Sequence, residues 1–125
     1  MAIYYVAPTG NDGNPGSLAQ PWLTPQHASD TVVAGDVINF LNGIYTNATG
    51  WILNKSGSPT NPITFQNYPG HIVTIKLKQL WWAGLSTNGM GYLRFYGIHF
   101  IGDSTAPGYG IYIKQSNDMS SKIVR

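Results

Sequence analysis

The strongest constraint on this chain is a recurrence. The doublets Ile38/Phe40, Ile63/Phe65 and Leu93/Phe95 repeat one apolar-x-apolar pattern, and Ile123 falls about 30 residues beyond the last. A second series runs from Ile72-Val73-Thr74-Ile75 to Ile98-His99-Phe100-Ile101. A third runs from Trp51-Ile52-Leu53 through 82–85 to 111–113. Repeats of about 25 to 30 residues are the mark of a solenoid, in which each unit buries its apolar face only against its neighbours. Three short strands per repeat, divided by turns and with no helix between them, predict a parallel β-helix. A β-sandwich, whose strands also come at short spacing, is the alternative that periodicity leaves open.

Composition supports an all-β chain. There is no Glu, and charged residues make up only 10% of the sequence, so exposed helices would lack their usual surface pairs. Fifteen Gly and eight Pro, with many Asn, Ser and Thr, call for frequent turns. Tyr, Trp and Ile favour strands. Strands are expected at 3–6, 37–41, 51–53, 63–66, 72–75, 81–85, 92–96, 98–101, 111–113 and 122–124. One short helix is expected over 25–33: Thr24 can cap it, Pro25 suits its first turn, and Ala34-Gly35-Asp36 stops it. The expected fold is a parallel β-helix of about three coils. A strand, loop and short capping helix would occupy 1–36, and the first coils 37–125.

Several function classes recede. The net charge is +2 and the seven basic residues are scattered, so a nucleic-acid partner is not expected. No apolar run has the length of a membrane span. Met1 to Val6 lacks the basic and apolar segments of a signal peptide and looks like a strand. Without Cys there are neither disulfides nor thiolate metal sites.

The N-terminal residues carry a family pattern. Tyr4-Tyr5-Val6-Ala7-Pro8-Thr9-Gly10-Asn11-Asp12 leads to Asn14-Pro15-Gly16-Ser17. Pro21-Trp22-Leu23-Thr24 opens the helix, and Ala34-Gly35-Asp36-Val37-Ile38 and Gly43-Ile44-Tyr45 follow. This resembles the N-terminal cap of secreted, pectate-lyase-like, right-handed parallel β-helix proteins. Asn61-Pro62-Ile63-Thr64-Phe65, Tyr68-Pro69-Gly70 and Tyr96-Gly97-Ile98-His99-Phe100 are similar to coil motifs of the same family. The resemblance spans nearly the whole chain. It departs at Pro25, where the family has an apolar helix residue, and at Arg125, beyond which family members continue for many more coils. It implies secretion and a polysaccharide partner.

Alternation places Asn39, Thr64 and Arg94 in one expected outer column, and Leu41, Gln66 and Tyr96 in the next. The resemblance makes this outer face a sugar-binding groove. A guanidinium beside amide, hydroxyl and phenol groups suits a uronate. Lys76 and Lys78 alternate on one strand face, with Trp81 following, and would favour an acidic glycan. Solvated outer residues are the plainer reading of both sets. No catalytic or metal-binding residues are assigned, and calcium enters only through the resemblance. Asp12 and Asp36 fall in turns that favour Asp. No carboxylate pair of the kind that glycoside hydrolysis needs is evident. A non-catalytic end of a polysaccharide-active protein is therefore expected, with a self-assembling module of a fibre, tailspike or filament as the alternative. Lys122-Ile123-Val124-Arg125 resembles the start of a further coil, so self-association through the C-terminal coil is expected.

Overall fold

The computed structural model describes residues 1–46, 51–77, 83–102, 109–112 and 122–123. Eleven strands and one helix are seen among them: β1 (Ile3–Val6), α1 (Pro25–Thr31), β2 (Val37–Phe40), β3 (Gly43–Thr46), β4 (Trp51–Ile52), β5 (Ile63–Asn67), β6 (Val73–Leu77), β7 (Ala83–Ser86), β8 (Leu93–Tyr96), β9 (Ile98–Gly102), β10 (Tyr109–Tyr112) and β11 (Lys122–Ile123). They form three sheets, ordered β1-β2-β5-β8-β11, β4-β7-β10 and β3-β6-β9, and every strand pair is parallel. Each coil contributes one strand to each sheet in turn, which is the winding of a parallel β-helix. The sandwich alternative is thereby excluded.

The core is the interior of this winding. Ile38, Phe40, Trp51, Ile63, Phe65, Ile75, Leu85, Leu93 and Phe95 are fully buried. Phe65 and Phe95 stack at 5.1 Å, and the Trp51 ring meets both edge-on, at 5.3 and 5.8 Å. Such ring pairs add to the area they bury, by about 0.5–1.5 kcal/mol each.

The register differs from expectation. Ile38 stands beside Phe65, not Ile63, and Phe65 beside Phe95, while Ile63 stands beside Leu93. The outer columns shift with it, to Val37–Thr64–Arg94 and Tyr5–Asn39–Gln66–Tyr96. A two-residue slip leaves every side chain on its own face, so apolar spacing does not resolve it. Polar contacts do. Thr64 N–H donates to Asp36 O at 3.0 Å, and Gln66 Nε2 donates to Asn39 Oδ1 at 2.9 Å.

Element boundaries also move by a residue or two, and one strand is new. α1 ends at Thr31 rather than residue 33, because Val32 is already extended. The buried Asp36 carboxylate then takes the Val33 and Ala2 N–H groups at 3.0 and 2.9 Å. β3 was not expected as a strand, because its inward residue is the amphipathic Tyr45 while Ile44 faces out, 57% exposed. The third-series strand runs Ala83–Ser86, so Trp81 lies outside the described residues, as do Lys78, Ile113 and Val124.

The 8–21 loop is tightly held against β1. Tyr5 N–H donates to Gly16 O, Trp22 N–H to Tyr5 O and Ala7 N–H to Trp22 O, at 2.8 to 2.9 Å, so the free edge of β1 is covered. Tyr4 stacks on Trp22 at 4.6 Å. Gly16 is required here: its φ is +83°, and a Cβ would lie 2.7 Å from the indole. α1 serves the edge of β4 in another way. Gln26 Oε1 accepts from Ile52 N–H and Gln26 Nε2 donates to Ile52 O, both at 2.8 Å, as a neighbouring strand would. Among the described residues no helix is long and apolar enough to cross a membrane.

Candidate functional site

The outer face of the five-stranded sheet gathers five of the expected residues. Asn39, Gln66 and Tyr96 form one column, and Thr64 and Arg94 the neighbouring one. The strands dictate this: Ile63, Phe65, Leu93 and Phe95 point into the core, so the residues between them face out. Arg94 is exposed, Thr64, Gln66 and Tyr96 are half-buried, and Asn39 is 6% exposed. The Gln66–Asn39 amide bond ties the first and second coils together across the face.

Tyr5 and Tyr68 enlarge the site beyond the expected residues. Tyr5 extends the amide column by one coil, and its ring lies 5.9 Å from that of Tyr68, tilted by 58°. The Tyr68 ring in turn meets His71 edge-on at 5.0 Å. Tyr5 and Tyr68 entered the sequence reading as parts of family motifs, and Tyr5 also as a strand residue, without a binding role. The available signal was period two in β1, which puts Tyr5 on the same side as Ile3, opposite Tyr4 and Val6. His71 is held in place: Asn67 Nδ2 donates to His71 O at 3.0 Å, and Asn42 N–H donates to His71 Nδ1 at 2.9 Å.

Lys76 does not join this face. It lies on β6, in the sheet β3-β6-β9, beside Thr46 and Ile101. Lys76 and Arg94 thus stand on different sheets, as their separate sequence series implied, and Lys78 and Trp81 lie outside the described residues.

The carboxylates near the N-terminus have structural partners. Asp12 Oδ1 accepts from Leu23 and Thr24 N–H, each at 2.9 Å, and Asp12 Oδ2 accepts from the Thr24 hydroxyl at 2.7 Å. Partial burial works against its charge, but these bonds, with His27 nearby, hold it below the ordinary carboxylate value. Asp30 Oδ1 accepts from Gln26 Nε2 and Asn54 Nδ2 at 2.9 and 2.7 Å. Asp36 is used as described above. Asp103 and Asp118 lie outside the described residues. No group of three His or carboxylate side chains suited to a metal gathers among the described residues.

The face can offer ring surfaces for stacking, amide and hydroxyl groups for sugar hydroxyls, and one guanidinium for a carboxylate.

Known proteins share this architecture. A family described as "Pel9A-like, right handed beta helix region" matches residues 4–124. The chain is 37% identical to YwoF of Bacillus subtilis over 71 residues, and 33% identical to pectate lyase PEL9 of Emericella nidulans over 79 residues. These matches cover 57% and 63% of the chain but only 15% and 19% of the two relatives, so the chain spans a small part of their length. Among solved structures, pectate lyase Pel9A superimposes with a TM-score of 0.65 at 27% identity, covering 78% of this chain and 27% of that one. A rhamnogalacturonan lyase reaches 0.71 at 24% identity, covering 80% of this chain and 28% of that one, and shows the shared fold. With the family match running along nearly all of its length, and with parallel strands wound into three sheets, the chain belongs to the Pel9A-like right-handed β-helix family.

Proposed function

We propose that this chain forms the N-terminal cap and first coils, about three, of a secreted polysaccharide-active β-helix protein. Its own part is to close the end of the solenoid and to contact acidic glycan, not to cleave it. The observation that carries this reading is the outer face on which Tyr5, Asn39, Gln66 and Tyr96 align beside Thr64 and Arg94. Stacking and amide groups suit neutral parts of a sugar chain, and Arg94 suits a uronate carboxylate. α1 closes the N-terminal end by covering the β4 edge through Gln26. The non-catalytic reading is supported by the use of Asp12, Asp30 and Asp36 as hydrogen-bond anchors. The named lyases among its relatives suggest a pectic polymer and an extracellular setting.

Affinity electrophoresis through polygalacturonate, with and without calcium, tests the contact. The chain should be retarded, and Arg94→Ala should run as it does in a gel without polymer. Unchanged retardation of Arg94→Ala would remove Arg94 from the site. An absorbance rise from unsaturated product would overturn the non-catalytic reading.

A further inference from the structure

The sequence holds two Asn-Gly pairs, Asn42-Gly43 and Asn88-Gly89, and both asparagines are exposed. The geometry points to Asn88 as a site of spontaneous conversion to aspartate and isoaspartate, with Asn42 protected. In this reaction the Gly89 amide nitrogen attacks Asn88 Cγ. The N–Cγ bond forms, the Cγ–Nδ2 bond breaks, and ammonia leaves with the amide proton of Gly89. Water then opens the cyclic imide at either carbonyl, giving aspartate or isoaspartate. The step needs a free glycine nitrogen and a side-chain amide able to swing onto it.

Asn42-Gly43 offers neither. Gly43 N–H donates to Ile72 O at 3.1 Å, and Asn42 Oδ1 accepts from Ile72 N–H at 3.0 Å. Both reacting groups are thus bound to one residue of the next coil. At Asn88-Gly89 the nitrogen is open. The pair sits at the centre of a turn closed by Met90 N–H to Thr87 O at 2.8 Å, with φ of +51° and +79°. Asn88 N–H bonds to Ser86 Oγ at 3.1 Å, but among the described residues neither Gly89 N–H nor the Asn88 side-chain amide has a protein partner. Exposure is common to both pairs, so it does not account for the difference.

Isoaspartate at residue 88 would add a backbone methylene and a negative charge just before β8, the strand that carries Arg94 and Tyr96. The conversion would mark aged chains at the coil that presents the candidate glycan-binding groups.

Incubation of the intact chain in mildly alkaline buffer, followed by peptide mapping and mass spectrometry, tests this. Asn88 should gain the mass of an amide-to-acid change about tenfold faster than Asn42, whose reacting groups must first leave their hydrogen bonds. In guanidinium the two rates should converge. Equal rates in the folded chain, or a survival of Asn88 that ends on unfolding, would overturn the inference. A gap that persists in guanidinium would assign the difference to neighbouring sequence, and would overturn it too.

Discussion

Tyr45 shows how much one side chain can hold in this fold. Its hydroxyl lies 2.6 Å from Leu41 O and 2.8 Å from Val6 O, so a single proton serves two carbonyls from different coils. Burial pushes its phenol pKa well above the ordinary value, and it stays neutral through the working range. Tyr45→Phe keeps the ring against Phe40 and removes only the donor. It should cost about 1–3 kcal/mol, the range for a buried polar group left unpaired, read from urea midpoints. Asp12 makes the matching prediction for pH. Its folded pKa lies below its unfolded value of 3.8, so its contribution is present above that value and lost as pH falls through the folded pKa. Asp12→Asn should lower the melting temperature at neutral pH and flatten the acid limb of a stability-pH curve. An unchanged acid limb would show that other carboxylates set it.

At the scale of elements, short pieces depend on partners distant in sequence. A seven-residue helix is too short to persist alone, and α1 is fixed by other groups at its start and along its length. Thr24 Oγ1 accepts the His27 N–H at its start. Inside, Ser29 Oγ accepts from Trp51 Nε1 at 3.0 Å, linking the helix to the aromatic core. Trp51→Ala should therefore loosen both, at a cost of about 3–5 kcal/mol, and should be visible as early hydrogen exchange of α1. Gln26→Leu tests the covered edge. It leaves Ile52 N–H and C=O without the amide, and should lower stability by about 1 kcal/mol while raising aggregation measured by light scattering. A soluble, equally stable variant would show that the β4 edge needs no cover. The start of α1 was legible in Thr24 and Pro25, since caps are local chemistry. Its end was not, because the Asp36 carboxylate that takes the Val33 N–H is itself positioned by the Ala2 N–H, a contact distant in sequence.

For the whole molecule the open question was register. The observed pairing places residues 39 and 66 side by side, and the expected one placed 39 beside 64. The chain has no native Cys, so engineered pairs report cleanly. Asn39→Cys with Gln66→Cys should close a disulfide on mild oxidation, since neighbouring strands lie within its span, whereas Asn39→Cys with Thr64→Cys should not. Closure of the second pair alone would restore the expected register.

What the sequence alone determined is the winding: a repeat of about 25 to 30 residues, period-two alternation within it, and turn residues between strands leave few other ways to bury the apolar set. In the strands it revealed, it determined which residues face out for the same reason, since alternation sets the face of a strand residue whatever lies beside it; β3, with Ile44 out and Tyr45 in, was the exception. The tertiary structure decided which outer residues are neighbours. Slips of two residues conserve faces, and the Asn39–Gln66 amide bond and the Thr64–Asp36 and Tyr68–Phe40 backbone bonds distinguish them. It likewise brought the Tyr5 ring to that of Tyr68, because contacts between coils depend on pairing that alternation within one strand does not show.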